Sequence, residues 1–116
     1  MTDLWFATRA DRDRPFSLPE PVADLNTSFQ EASASLLATG RVIVFTSNRP
    51  GSVGALDLWY ATRATATDGF TAPQLVPGVN TTGLDYSGFV RPDGCELFFS
   101  SNRDGSDDLF VSEITP

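Results

Sequence analysis

Histidine and lysine are both absent from the 116 residues, and Cys95 is the only cysteine. Without histidine the chain lacks the commonest general base, the commonest metal ligand and any Ser/His or Cys/His nucleophile pair. One cysteine allows no disulfide within the chain and no thiolate metal cage. Positive charge is scarce. Eight arginines face 15 acidic residues, for a formal net charge of −7, and the arginines are spread along the chain. Such a field repels phosphate backbones and anionic lipid headgroups, so neither a nucleic acid nor a membrane surface is expected as partner. Long hydrophobic runs are also missing. Val42 to Phe45 is among the longest, far short of a membrane span. The opening Met1-Thr2-Asp3-Leu4-Trp5 has neither the basic nor the apolar region of a secretory signal, and no signal peptide is expected there.

What is present is ordinary for a folded domain. Hydrophobic residues make up 41% and charged residues 20%, enough for a core and unlike a disordered chain. Residues 1–116 are expected to form a single domain.

The dominant feature is a repeat. Asp3-Leu4-Trp5-Phe6-Ala7-Thr8-Arg9 returns as Asp57-Leu58-Trp59-Tyr60-Ala61-Thr62-Arg63, an offset of 54. The same offset carries Phe16 to Phe70, Val22 to Val76, Asn26-Thr27 to Asn80-Thr81 and Ser33 to Ser87. It also carries Gly40 to Gly94, Phe45 to Phe99, Ser47-Asn48-Arg49 to Ser101-Asn102-Arg103 and Gly51 to Gly105. A partial third copy opens at Asp108-Leu109-Phe110, 51 residues after Asp57, because the turn after Gly105 is shorter. The repeats run about 3–56, 57–107 and 108–116. A period this long exceeds the common helical-pair repeats and fits a four-stranded propeller blade with generous loops.

Strand signals agree. Val42-Ile43-Val44-Phe45 and Leu97-Phe98-Phe99 are continuous β-branched and aromatic runs, the pattern of strands covered on both faces. Leu4 to Ala7 and Leu58 to Ala61 follow as the next strand. Leu18 to Leu25 and Gln74 to Val79 contain proline and suit an outer edge. Ala32 to Leu37 and Tyr86 to Val90 are placed innermost. With strands lettered a (inner) to d (outer), the expected order is c-d, then a-b-c-d, then a-b-c: an all-β chain of antiparallel blades, without a helix.

Taken together, "DLW-ATR … NT … DG … FF-SSNR-G … DL" resembles the PD40 (WD40-like) repeat of TolB-type β-propellers over essentially the whole chain. Its most specific stretch is Arg91-Pro92-Asp93-Gly94, Phe98-Phe99-Ser100-Ser101-Asn102-Arg103-Asp104-Gly105 and Asp108-Leu109-Phe110. The first copy departs from it, with Ala38-Thr39-Gly40 where Pro-Asp-Gly stands in the second. The resemblance implies a propeller of about six blades, a bacterial envelope or periplasmic setting, and a protein-interaction platform with no catalysis and no cofactor of its own.

The motif residues admit two readings. Gly51 and Gly105 suit tight reversals, Asp3, Asp57 and Asp108 can accept from turn amides, and Arg49 and Arg103 can pair with a carboxylate or cover an aromatic ring. Alternatively Asn48, Arg49, Trp59, Asn102 and Arg103 converge on a ligand at a rim. The structural reading is preferred because every copy carries the set. Asp104, Asp107 and Asp108 are a weak cation candidate, without the spacing of an EF-hand; a solvated turn explains them better. Glu20 with Asp24, and Glu31 with Asp85, are spaced no differently from ordinary surface acids. A non-enzymatic interaction module is therefore expected, against a lectin-like propeller or part of a larger hydrolase. Burial of Trp59 favours the first over the second.

Two blades do not close a ring, which takes about four to eight. That predicts self-association (three copies making six blades most simply), membership of a longer propeller, or an open stack. The ninth strand is redundant in a simple trimer and favours the longer propeller.

Overall fold

In a computed structural model, residues 2–113 are described, and Met1 and the end of the third copy (114–116) lie outside them. Nine strands and no helix are present among the described residues. Sheet I pairs β1 (Trp5–Phe6) with β2 (Glu20–Pro21). Sheet II joins β3 (Glu31–Leu36), β4 (Val42–Ser47), β5 (Asp57–Thr62) and β6 (Gln74–Leu75) in that order. Sheet III joins β7 (Asp85–Val90), β8 (Glu96–Ser101) and β9 (Asp108–Glu113). Every pairing within the sheets is antiparallel, and none of the sheets closes into a barrel.

The outer strands are shorter than the sequence suggests. Of Leu18 to Leu25 only Glu20–Pro21 pairs, and of Gln74 to Val79 only Gln74–Leu75. Pro19, Pro21, Pro73 and Pro77 cannot donate, and a ladder that meets a missing donor stops.

The sheets stack face to face, with sheet II in the middle. Period two along each strand sends alternate side chains to opposite faces. On β4 and β5, Ile43, Phe45, Trp59 and Ala61 pack against Leu4, Val22 and Leu25. Val44 and Leu58 go the other way and pack against Val90, Leu97 and Phe99, with Phe110 beside them. The two interfaces share repeat positions: Leu4 corresponds to Leu58, Leu25 to Val79, Ile43 to Leu97, Phe45 to Phe99 and Trp59 to Phe110. Phe45 and Leu58 are fully buried, each stabilising by about 1.5–3 kcal/mol relative to exposure. The unbroken hydrophobic run of β4 thus has its cause in two neighbours. On β8 the matching run is interrupted, because Phe98 meets no sheet on its side and is exposed.

Strands β3 and β7 each break register once, between Ala32 and Ser35 and between Tyr86 and Phe89. Ser33 and Ser87 sit at these bulges with φ of 54° and 53°, a region costly for a residue with a Cβ. At the second bulge the Ser87 amide donates across the interface to Thr46 Oγ1 at 3.0 Å. Nearby the Val90 amide reaches Ser35 Oγ at 3.2 Å. Both bonds tie sheet III to sheet II.

Candidate functional site

The Ser-Asn-Arg motif lies where β4 and β8 end. Ser47 closes β4 and is buried; its Oγ donates to Glu31 Oε2 at 3.0 Å and accepts from the Arg49 amide and Nε at 3.1 and 3.2 Å. Glu31, fully buried, also accepts from the Thr27 amide (2.8 Å) and hydroxyl (2.6 Å). Arg49 completes the cluster with Nη2 3.3 Å from Glu31 and a hydrogen bond to the Leu25 carbonyl. Its guanidinium stacks on Phe45 and Trp59 at 5.0 and 5.5 Å. One cation, one anion and two hydroxyls therefore saturate each other, the condition under which a buried polar network is tolerated.

The second copy repeats this. Asp85 accepts from Ser101 Oγ at 2.7 Å and from the Thr81 amide and hydroxyl at 2.7 and 2.8 Å. Arg103 Nη2 stands 3.1 Å away and also donates to the Val79 carbonyl, and its guanidinium covers Phe99 and Phe110. Burial by itself pushes the Asp85 carboxyl up. Donors from Ser101, Thr81 and Arg103 together outweigh it and hold the group below the usual carboxylate range. Arg49, more deeply enclosed, is lowered by burial against the opposing pull of Glu31.

The asparagines act as pieces of backbone. Asn26 accepts from the Leu4 amide (2.7 Å) and donates to the Leu4 carbonyl (2.9 Å); Asn80 does the same to Leu58 at 2.8 and 3.0 Å. Asn48 Oδ1 takes the Gln30 amide and Asn102 Oδ1 the Leu84 amide. Gly51 and Gly105 turn with φ of 95° and 93°, where a side chain would be strained.

Of the proposed ligand-binding set, then, Arg49 and Trp59 are buried, the exposed Asn48 and half-buried Asn102 each give Oδ1 to a backbone amide, and Arg103 gives Nε and Nη2 to Ser101, Val79 and Asp85. Trp59 is 6% exposed. The three turn aspartates diverge: Asp57 is buried and accepts from the Val53 and Gly54 amides, while Asp3 and Asp108 are exposed and Asp108 accepts from Ser106. Asp104 and Asp107 are exposed, and no group of three or more carboxylate or cysteine ligands is assembled among the described residues. Glu31 and Asp85 are not the ordinary surface acids that their spacing suggests. Both are fully buried, because each faces a guanidinium and several donors that spacing along the chain does not disclose. Glu20 and Asp24 are exposed, and Asp24 accepts from the Phe70 amide.

Two crevices open between the sheets. That between II and III has a volume of about 470 Å³, lined by Val44, Tyr60, Val76, Val90 and Leu97, with Cys95 among the lining residues. Its repeat counterpart between I and II, about 560 Å³, is lined by Phe6, Val22, Leu36 and Ile43 and flanked by the segment from Arg63 to Phe70. No protein-family model matches the chain, and no curated protein matches it.

Proposed function

We propose that the three sheets are consecutive blades of a PD40-type β-propeller and that the chain is a non-enzymatic module for binding another protein, of the kind found in the bacterial envelope. The observation that carries this reading is the fate of the motif residues. Asn26, Ser47, Arg49 and Trp59, and their counterparts one repeat on, are used up in holding strands and sheets together. Side chains spent in this way define a scaffold, whose specificity lies in its loops and rims. The face-to-face stacking with a repeated interface supports the blade reading. Burial of Trp59 argues against a sugar-stacking role at that repeat position.

The test sets two binding assays side by side: capture of proteins from envelope and soluble fractions of the source cells on the immobilised chain, and a glycan array. A stoichiometric complex with one protein, and no glycan binding, is the expected result. Glycan binding that disappears in Trp5→Ala, the repeat's one well-exposed tryptophan, would replace the scaffold with a lectin.

A further inference from the structure

Aspartate precedes glycine at Asp68-Gly69, Asp93-Gly94 and Asp104-Gly105. No aspartate among these is repeated, for the positions 54 residues earlier hold Arg14, Thr39 and Pro50. All of them are exposed. Such a pair has a chemistry of its own. A glycine amide nitrogen, with no side chain to screen it, can attack the carboxyl carbon of the preceding aspartate and close a five-membered ring. In a folded chain the outcome depends on whether the two reactants are tied.

Two of the pairs are tied. The Gly94 amide donates to the Arg91 carbonyl at 2.8 Å, in the turn between β7 and β8, and the Gly105 amide to the Asn102 carbonyl at 2.9 Å, in the turn between β8 and β9. Both glycines turn with positive φ, 79° and 93°. The Asp93 carboxylate is held as well: Oδ1 accepts from the Cys95 amide at 2.9 Å, and Oδ2 stands 3.4 Å from Arg91 Nη2. An amide committed to a turn must give up its hydrogen bond before it can attack.

Asp68-Gly69 differs on both counts. Among the described residues the Gly69 amide donates to no acceptor, and the Asp68 carboxylate has neither a donor nor an ion-pair partner. The groups around the pair are engaged. The Asp68 amide donates to the Thr65 carbonyl at 3.3 Å, the Asp68 carbonyl accepts from Arg63 Nη1 at 3.4 Å, and the Phe70 amide donates to Asp24 Oδ2 at 3.2 Å. A bond from the Thr71 amide to the Thr62 carbonyl, 2.7 Å, closes the loop at its base. The reacting pair is thus untied inside a segment held on both sides.

We propose that Asp68-Gly69 is a covalent modification site: the pair closes to a succinimide, reopens as isoaspartate, and so loosens the hold of its loop on sheet I. In the first step the Gly69 nitrogen bonds to the Asp68 carboxyl carbon, and the carboxyl hydroxyl leaves as water with the amide proton. In the second, water adds to one ring carbonyl and the bond from that carbon to nitrogen breaks. Opening at the former side-chain carbonyl restores aspartate. Opening at the former main-chain carbonyl leaves the chain running through Asp68 Cβ and Cγ, one atom longer, with a free α-carboxylate. Water is the only co-reactant.

The change acts on both anchors of the loop. The carbonyl that accepts from Arg63 Nη1 becomes the new carboxylate, which gives the guanidinium a charged partner in place of a neutral one. The extra atom falls between two closed points, Thr62 and Thr71, and there is no slack beside it: a Cβ on Gly69 would stand 2.7 Å from Asp24 Oδ2. Phe70 takes up the displacement. Its amide makes the bond to Asp24, and its ring packs on the cluster of Leu4, Leu25 and Ile43 and under the Arg63 guanidinium at 4.3 Å. An isoaspartyl α-carboxylate in an exposed loop is also the group that isoaspartyl methyltransferases esterify, which sets the class of enzyme the modified site would meet.

The test ages the full chain in warm, mildly acidic buffer, folded and in parallel in urea. Isoaspartate is located by methyl transfer from labelled S-adenosylmethionine with a purified isoaspartyl methyltransferase, followed by peptide mapping. In the folded chain, label should build up at Asp68 several times faster than at Asp93 or Asp104. In urea the three rates should converge, because each pair is then untied. Asp68→Glu, whose longer side chain closes the corresponding ring far more slowly, should lose the label at that position and keep the parent's circular dichroism spectrum. The Phe70 amide should exchange its hydrogen faster in the aged parent than in aged Asp68→Glu. Label arriving first at Asp93 or Asp104, equal rates in the folded chain, or no label in the folded chain overturns the site. Unchanged Phe70 exchange in the labelled protein overturns the loosening of sheet I.

Discussion

Trp5 and Trp59 stand at the same place in Asp-Leu-Trp-Phe-Ala-Thr-Arg and Asp-Leu-Trp-Tyr-Ala-Thr-Arg, yet one is 61% exposed and the other 6%. Local sequence gives both the same strand tendency and points both side chains toward the preceding sheet. Only Trp59 has a sheet there to meet. Burial in this molecule is a property of the neighbours: Trp59 has strands on both sides within its sheet and a sheet to pack on, and Trp5 has one paired strand.

The sharpest way to break the comparison is to truncate both rings. Trp59→Ala should cost about 3–5 kcal/mol, the usual range for a large aromatic removed from a packed core. Trp5→Ala, measured at concentrations where the chain is monomeric, should stay within about 0.5 kcal/mol. Urea melts of the two variants measure this directly. Equal losses would mean that the two tryptophans have equivalent surroundings in solution and that the sheets do not stack with sheet II in the middle.

A good part of the architecture could be read from residues alone. The strands β4 and β8 fall where β-branched and aromatic runs are punctuated by Gly and Ser-Asn-Arg, because such runs are too short for a helix and lack its caps, while β5 and β9 follow each Gly turn and the small, mixed β3 and β7 were placed by the repeat. The turn role of Gly51 and Gly105 was equally accessible, since a conserved offset of a residue without a Cβ marks a reversal. Two things were hidden. The bulges at Ser33 and Ser87 leave no mark, because serine gives no warning of a positive φ. The buried Glu31 and Asp85 were hidden for a different reason: a carboxylate's burial depends on which groups converge on it through space, here Thr27, Ser47 and Arg49 from separate segments. The Glu-for-Asp difference at a repeated position, beside a repeated Ser-Asn-Arg, was the available hint.

The two polar clusters sharpen the same contrast at a second site. Arg49 and Glu31 have side chains 9% and 0% exposed, while Arg103 beside Asp85 is 28% exposed. Removing one partner of an enclosed pair strands the other charge without water. Glu31→Ala should therefore cost about 3 kcal/mol or more. Asp85→Ala should cost less, about 1–3 kcal/mol, since the guanidinium of Arg103 has solvent within reach. Thermal or urea denaturation of the two variants ranks them. A reversed order would show that the hydroxyl and amide donors, which the two clusters share, matter more than enclosure of the arginine.

The smallest effect is one of pH, and it separates the contribution of the Asp85 charge from that of its shape. The carboxyl is held below its ordinary value in the folded chain by the donors of Ser101, Thr81 and Arg103 acting against burial. A depressed folded value means the unfolded state binds the proton more readily, so this contribution is complete above the unfolded value of about 4 and is lost as the pH falls through the folded one. Unfolding free energy of the parent chain should decline on acidification below about pH 4, and Asp85→Asn should decline less steeply over the same interval while starting from lower stability at neutral pH. Asparagine keeps the size and one acceptor of the side chain but has no proton to take up in this range. If the two profiles run parallel, the ionised carboxylate adds nothing beyond its hydrogen-bond geometry, and the pairing of Asp85 with Arg103 is a matter of fit rather than of charge.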